Sequence, residues 1–144
     1  VFSALNANEC HSCKYQVDHN SLGEYFKTMK KISPSSSFIT VYTTLPNKRT
    51  ARTLAKTLLS EGLVACVNCF NHVDSLYWWE GKVCEEKEIV VLLKTSRLLF
   101  KKLEKRLITL HPYKTPCIYS LRWLHTGMDY KQWLKRELAS QSLR

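Results

Sequence analysis

The sequence predicts an α+β domain on three observations. The run Phe38-Ile39-Thr40-Val41-Tyr42-Thr43 is β-branched and aromatic, as strands are. Two segments, 51–59 and 97–110, carry apolar residues at helical spacing. Between them lie two further strand-like runs on either side of the turn dipeptide Glu80-Gly81. The bulk numbers agree with one domain and a real core: 144 residues, 44% of them hydrophobic. Only 4 Gly and 4 Pro exclude collagen-like and low-complexity classes. No apolar run approaches the ~20 residues that span a bilayer, so a membrane is not expected as a partner.

The elements follow in order. Residues 1–36 form an N-terminal extension, weakly structured or with one short helix, closed by the polar linker Ser33-Pro34-Ser35-Ser36-Ser37. Leu22, Tyr25, Phe26 and Met29 would line that helix, which is marginal alone. The domain proper spans 37–144. Its first strand stops at Pro46-Asn47, and Asn47 can cap the helix whose inner face is Ala51, Leu54, Ala55, Leu58 and Leu59. Gly62 ends that helix. Val64 to Phe70 is a strand that continues to Trp79 with a bend near Asn71-His72. Glu88 to Thr95 is the next strand, and Arg97 to Leu110 a helix stopped by His111-Pro112. Ile118 to Leu124 is a fourth strand. Asp129 can cap a C-terminal helix with Tyr130, Trp133, Leu134 and Leu138 turned inward.

Strand, helix, strand, strand, helix, strand is the split βαβ order, a ferredoxin-like βαββαβ sandwich with an extended β-hairpin and a C-terminal helix. Two helices cover one sheet face, which leaves the other face polar by default. Ile89-Val90-Val91-Leu92-Leu93 disagrees, being apolar on both faces. Either the terminal helix or the N-terminal segment covers the second face, or another subunit does; the subunit is the reading adopted. The hairpin supports it. Each arm extends ~8 residues, about 25 Å, beyond a compact sheet. Tyr77, Trp78 and Trp79 on such an arm would be an exposed apolar patch without a partner. Ile89, Val91, Leu93 and Trp78 are therefore expected in an intersubunit core.

Lys and Arg total 22 against 12 Asp and Glu, a net charge of +10. This permits an anionic partner without proving one. The obvious candidate is RNA, since RNA-recognition motifs share this element order. Their central strand needs alternating aromatics, and Ile89–Leu93 has none, so nucleic acid is not expected. Arg97, Lys101, Lys102, Lys105 and Arg106 make one helix surface basic; it reads as a solvated face, or as a salt-sensitive site for an anion. The six cysteines are too few for a disulfide-stapled miniprotein. Cys10-x-x-Cys13 and Cys66-x-x-Cys69 have zinc-ribbon spacing, but residues three apart on a strand point to opposite faces, so Cys66 reads as a small buried hydrophobe. No phosphate loop or nucleophile elbow is present, and no catalytic residue is assigned.

Several motifs together resemble one family. They are Ala65-Cys66-Val67-Asn68, Ser75 through Lys82 with its Tyr-Trp-Trp-Glu-Gly core, Glu88, Lys94-Thr95, His111-Pro112-Tyr113 with Pro116, Gly127, Asp129-Tyr130 and Trp133-Leu134. In this order they resemble the CutA divalent-cation tolerance proteins over about residues 38–138. The resemblance implies the same ferredoxin-like fold, a homotrimer, a role in the response to metal ions with copper as one metal, no required cofactor and no established catalysis. It also implies where a metal would sit: a Cys on the first strand, the His of His-Pro-Tyr, and a Glu after the next Pro. Here those positions are Thr43, His111 and Cys117. His111 with Cys117 would be a soft pair suited to Cu(I) or Zn. The other reading of His111 is a charged cap at a helix C-terminus. The family is similar in fold and trimeric state to the PII signalling proteins, which implies a second role: small-molecule sensing in an intersubunit cleft beside Tyr77, Trp79, Lys94, His111 and Tyr113. The cytoplasm is the favoured compartment. An organellar or secreted form stays open, because a chain that begins at Val1 can be a processed product.

Overall fold

The computed structural model describes residues 37–141. The expected N-terminal helix and the Cys10-x-x-Cys13 pair lie outside the described residues. The order is β1 (Phe38–Leu45), α1 (Lys48–Ser60), β2 (Cys66–Trp79), β3 (Lys82–Ser96), a 3-10 turn (Arg97–Leu99), α2 (Phe100–Leu110), β4 (Tyr119–Arg122) and α3 (Met128–Gln141). The sheet runs β2-β3-β1-β4 with every neighbour antiparallel, the ferredoxin-like arrangement that the element order predicts.

Local chemistry sets the boundaries. The Asn47 side chain accepts from the Thr50 N–H at 2.9 Å, which satisfies an orphan donor at the start of α1. Gly62, at φ 68°, turns the chain out of that helix. Glu80 and Gly81 both have positive φ, 48° and 76°, as a two-residue hairpin turn of the primed type requires. Ser96 caps the 3-10 turn through its bond from Leu98 N–H, so the expected helix at Arg97 opens tightly and becomes α-helical at Phe100.

The core lies between the sheet and helices α1 and α2. Val41 and Leu45 from β1 and Val91 and Leu93 from β3 meet Leu54, Leu58, Leu103 and Leu107 there, all buried. Strand parity decides this. Odd residues of β1 and β3 face the helices, because Val41 pairs with Leu93 and Thr43 with Val91. Ile89, Val91 and Leu93 thus belong to the chain's own core, which corrects their placement in an intersubunit core. Their even-numbered neighbours, Val90 and Leu92, face the open side of the sheet. Of the expected intersubunit set, Trp78 alone faces solvent, 74% exposed.

Helix α3 covers one end of that open side. Leu134 and Leu138 pack with Phe38 and Ala65, flanked by Leu99, Trp123 and Trp133. Trp123 Nε1 donates to Thr40 Oγ1 at 2.7 Å, pinning the approach to the helix. Two details differ from expectation. Asp129 sits in the first turn of α3, not at its cap, because the helix starts at Met128 and Gly127 C=O accepts from Lys131 N–H. Tyr130 is 40% exposed and stacks between Trp123 and Trp133, with centroids 6.0 and 5.5 Å away, instead of entering the core. β4 is shorter than the Ile118–Leu124 run suggested, and Leu124 projects into solvent.

The hairpin arm carries one irregularity. Phe70 pairs with Val90, yet Val73 pairs with Glu88: three steps on β2 against two on β3. The extra residue is a β-bulge, with His72 at φ 59°. Before it, Cys66, Asn68 and Phe70 share the open face; after it, Val73, Ser75, Tyr77 and Trp79 do.

Candidate functional site

The site lies where the arm meets the segment after α2. A cavity of about 850 Å³ is lined by Tyr42 and Thr44 of β1, by residues 73–77 and Trp79 of the arm, by Glu88 of β3 and by Pro112 to Cys117. The parity set by the bulge brings Tyr77 and Trp79 to this side. The Pro112–Cys117 segment is held by the His-Pro-Tyr motif. His111 ends α2, and its ring reaches across to the end of β1.

His111 is 9% exposed and engaged at both ring nitrogens. Its Nε2 lies 2.9 Å from the Thr44 carbonyl oxygen and 3.2 Å from Thr43 Oγ1. Its Nδ1 accepts from the Tyr113 N–H at 3.1 Å. This pattern assigns the neutral tautomer with the proton on Nε2. Burial pushes the imidazole pKa below its ordinary value, against the pull of the Thr44 carbonyl and of Glu88. Both sequence readings of His111 are corrected. No nitrogen keeps a free lone pair for a metal, and the ring is neither charged nor turned to the helix carbonyls. It is a clamp between β1 and the Pro112–Cys117 segment.

Cys117 is exposed at the cavity, with its thiol pushed up by burial and then by Glu88. Thr43, at the expected Cys position, does stand beside His111, as the resemblance implied, but it contributes a hydroxyl. The residues present do not fit a His111–Cys117 metal centre. Among the described residues no three His, Cys, Asp or Glu side chains cluster to hold an ion.

Of the five cleft residues expected, the structure brings Tyr77, Trp79 and Tyr113 together around the cavity. His111 stands behind Tyr113, the two rings 5.1 Å apart. Lys94 is elsewhere. It lies six residues along β3 from Glu88, about 20 Å at strand rise, with its Nζ 3.7 Å from Cys66 Sγ. The sequence reading missed Glu88 as a site residue. It is 6% exposed and stands close enough to Tyr113 to act on its phenol. Burial first, then Glu88, pushes the Tyr113 phenol far above its ordinary range, so it keeps its proton. The signal was present: an acid at the head of Ile89–Leu93, on the strand parity of Val90 and Leu92.

With the geometry in hand, the relatives are informative. The profile of the family described as CutA1 divalent ion tolerance protein matches residues 39–137. The chain belongs to the CutA1 divalent ion tolerance family. The Divalent-cation tolerance protein CutA of Pyrococcus horikoshii is 43% identical over 99 residues, covering 69% of this chain and 96% of that protein. Protein CutA 1, chloroplastic, of Oryza sativa is 36% identical over 107 residues, 74% of this chain and 60% of its own. The crystal structure of CutA1 from Oryza sativa superposes with a TM-score of 0.69 at 36% identity, over 73% of this chain and 96% of that one. CutA1 from Pyrococcus horikoshii does so with a TM-score of 0.66 at 42% identity, over 69% and 96%. These CutA names state tolerance of divalent cations or the family alone, and none states a reaction. Among the described residues no helix is long and apolar enough to cross a membrane.

Proposed function

We propose that this chain serves divalent-cation tolerance as a non-catalytic homotrimer, closing the open faces of three sheets against one another. One observation carries the assembly. Beyond the reach of α3, the open face leaves Phe70, Tyr119 and Leu121 between 45% and 53% exposed, and the opposite face of the arm leaves Leu76, Trp78 and Val83 between 60% and 74%. So much exposed apolar surface marks an interface. The sheet edges support it: β2 is a 14-residue edge strand, long and unpaired on one side among the described residues. The absence of catalysis is supported by His111 and Cys117. The imidazole is engaged at both nitrogens and the thiol is held protonated, so they form no activated pair. Native mass spectrometry of the full chain tests the assembly. Three chain masses are expected, and Trp78→Ser with Phe70→Ser should shift the population toward monomer. A wild-type monomer at micromolar concentration would overturn the proposal.

The cavity favours a second reading, PII-like sensing of a small molecule. At about 850 Å³, walled by aromatic rings around one buried acid, it has the size and lining of a ligand site. A thermal-shift screen with nucleotides and metal salts separates the readings: a shift with metals alone supports tolerance, and one with nucleotides supports sensing.

A further inference from the structure

We infer that the outer row of α2 and its leading turn, Leu98, Lys101, Lys102, Lys105 and Ile108, is a docking surface for an anionic lipid bilayer, with the lysines on the charged headgroups and the two aliphatic side chains between them. The helix packs on the covered side of the sheet, so the row is clear of the open face that the proposed homotrimer closes. The expectation of no membrane partner rested on spanning length, and lying on a bilayer needs no spanning segment.

Three observations carry it. The first is geometry. Spacings of 3, 1, 3 and 3 put these residues in one row, about 15 Å long at helical rise, while Leu103 and Leu107 fill the core from the other side of the helix. The three lysines are exposed, Leu98 is 89% exposed and Ile108 58%. Neither aliphatic side chain belongs to a core cluster, so both leave water only against a partner. The second is charge. Residues 97–110 carry five cations and one acid. Among the described residues the one ion pair joins Arg106 to Glu61, and the lysines of the row have none. Lys101 and Lys105, four apart, repel each other, and no acid stands in the first turn of α2, where the helix dipole favours one. An external anionic surface relieves both. On the same side of the sheet, α1 has Arg49, Arg52 and Lys56 exposed and no acid. The third separates a bilayer from other polyanions. Single-stranded nucleic acid asks for aromatic stacking, and the row has no ring. A polyanion read by charge alone gives Leu98 and Ile108 no role. A bilayer uses both parts, because anionic headgroups attract Lys and the acyl boundary accepts Leu and Ile.

Vesicle co-sedimentation of the full chain tests this, with vesicles of equal parts phosphatidylserine and phosphatidylcholine and vesicles of phosphatidylcholine alone. At low ionic strength the mixed vesicles are expected to bind at least tenfold tighter, and added salt should weaken that binding steeply. Lys101→Gln with Lys102→Gln and Lys105→Gln should lower the affinity about a hundredfold. Leu98→Ser with Ile108→Ser should lower it about tenfold and leave circular dichroism and Tm unchanged, since neither side chain is in the core. No binding to the mixed vesicles overturns the proposal. Binding that survives the lysine variant also overturns it, by placing the contact elsewhere on the chain. Loss with the lysine variant and none with the aliphatic one overturns the bilayer in favour of a polyanion read by charge, which titration with a single-stranded RNA oligonucleotide would then detect.

Discussion

His111 Nε2 stands 2.9 Å from the carbonyl oxygen of Thr44, so the first residue after α2 is bonded to the last turn of β1 across 67 positions of sequence. The bond holds only for the neutral imidazole as placed, since Nδ1 must keep its lone pair for Tyr113 N–H. Its pKa lies below the ordinary value, burial being the main cause, with the Thr44 carbonyl and Glu88 opposing. The unfolded chain, with its imidazole titrating near ~6.5, binds more protons than the folded one as pH falls through that value. Stability is thus complete above that pH, declines below it, and levels off once the folded imidazole is protonated. Calorimetric Tm should drop between pH 7.5 and 5.5, and His111→Gln should flatten that drop. Equal slopes in both proteins would refute it.

Thr95 is fully buried and its hydroxyl donates to the Leu63 carbonyl oxygen at 2.6 Å. Thr95→Val keeps the shape and strips the donor, leaving a buried carbonyl short of a partner. The expected cost is about 1–3 kcal/mol in chemical denaturation. A change within error would mean that another donor serves Leu63.

Two glycines give opposite outcomes. Gly81 has φ +76°, and a Cβ there meets nothing within 4 Å, so only the backbone resists substitution. Gly81→Ala should destabilise by about 1–2 kcal/mol, the cost of placing an L-residue in the left-handed region. Gly127 is equally open in space and lacks the positive φ, so Gly127→Ala should change stability by no more than about 0.5 kcal/mol. Urea titration of both variants checks the contrast, and equal effects would refute it.

Two leucines of the second helical segment test where its inner face lies. Leu107 is 0% exposed in the main core, and Leu98 is 89% exposed on the 3-10 turn. Leu107→Ala should cost about 2–5 kcal/mol, and Leu98→Ala less than about 0.5. Comparable losses would show that Leu98 is covered in solution.

The fold was legible because its signals are local. Asn47 is a cap, Gly62 and Gly81 need positive φ, and Leu54, Leu58, Leu103 and Leu107 recur at helical spacing. What escaped depended on register. Ile89–Leu93 is apolar on both faces, and composition alone does not say which parity meets the helices; pairing with β1 does. Lys94 looked like a cleft residue through its motif, but pairing puts it opposite Cys66 and Thr40, at the other end of the sheet. His111 looked like a ligand because sequence shows a residue type and not its partners; Thr44 and Tyr113 occupy it through backbone groups that sequence does not display. Glu88 hid in a run of charged residues, Glu85 to Glu88, and burial alone sets it apart from the others.

The bulge between Phe70 and Val73 gives the arm something like a reading frame. Because side chains alternate, the one surplus residue near His72 determines that the rings of Tyr77 and Trp79 share the face of Glu88, and that Trp78 is read from the opposite side. Deleting a residue there leaves the composition of the arm almost untouched yet exchanges its two faces, presenting Trp78 to Glu88. Along this stretch a single indel is a more drastic event than most substitutions, and the chain's chemistry is tied to its residue count as much as to residue identity.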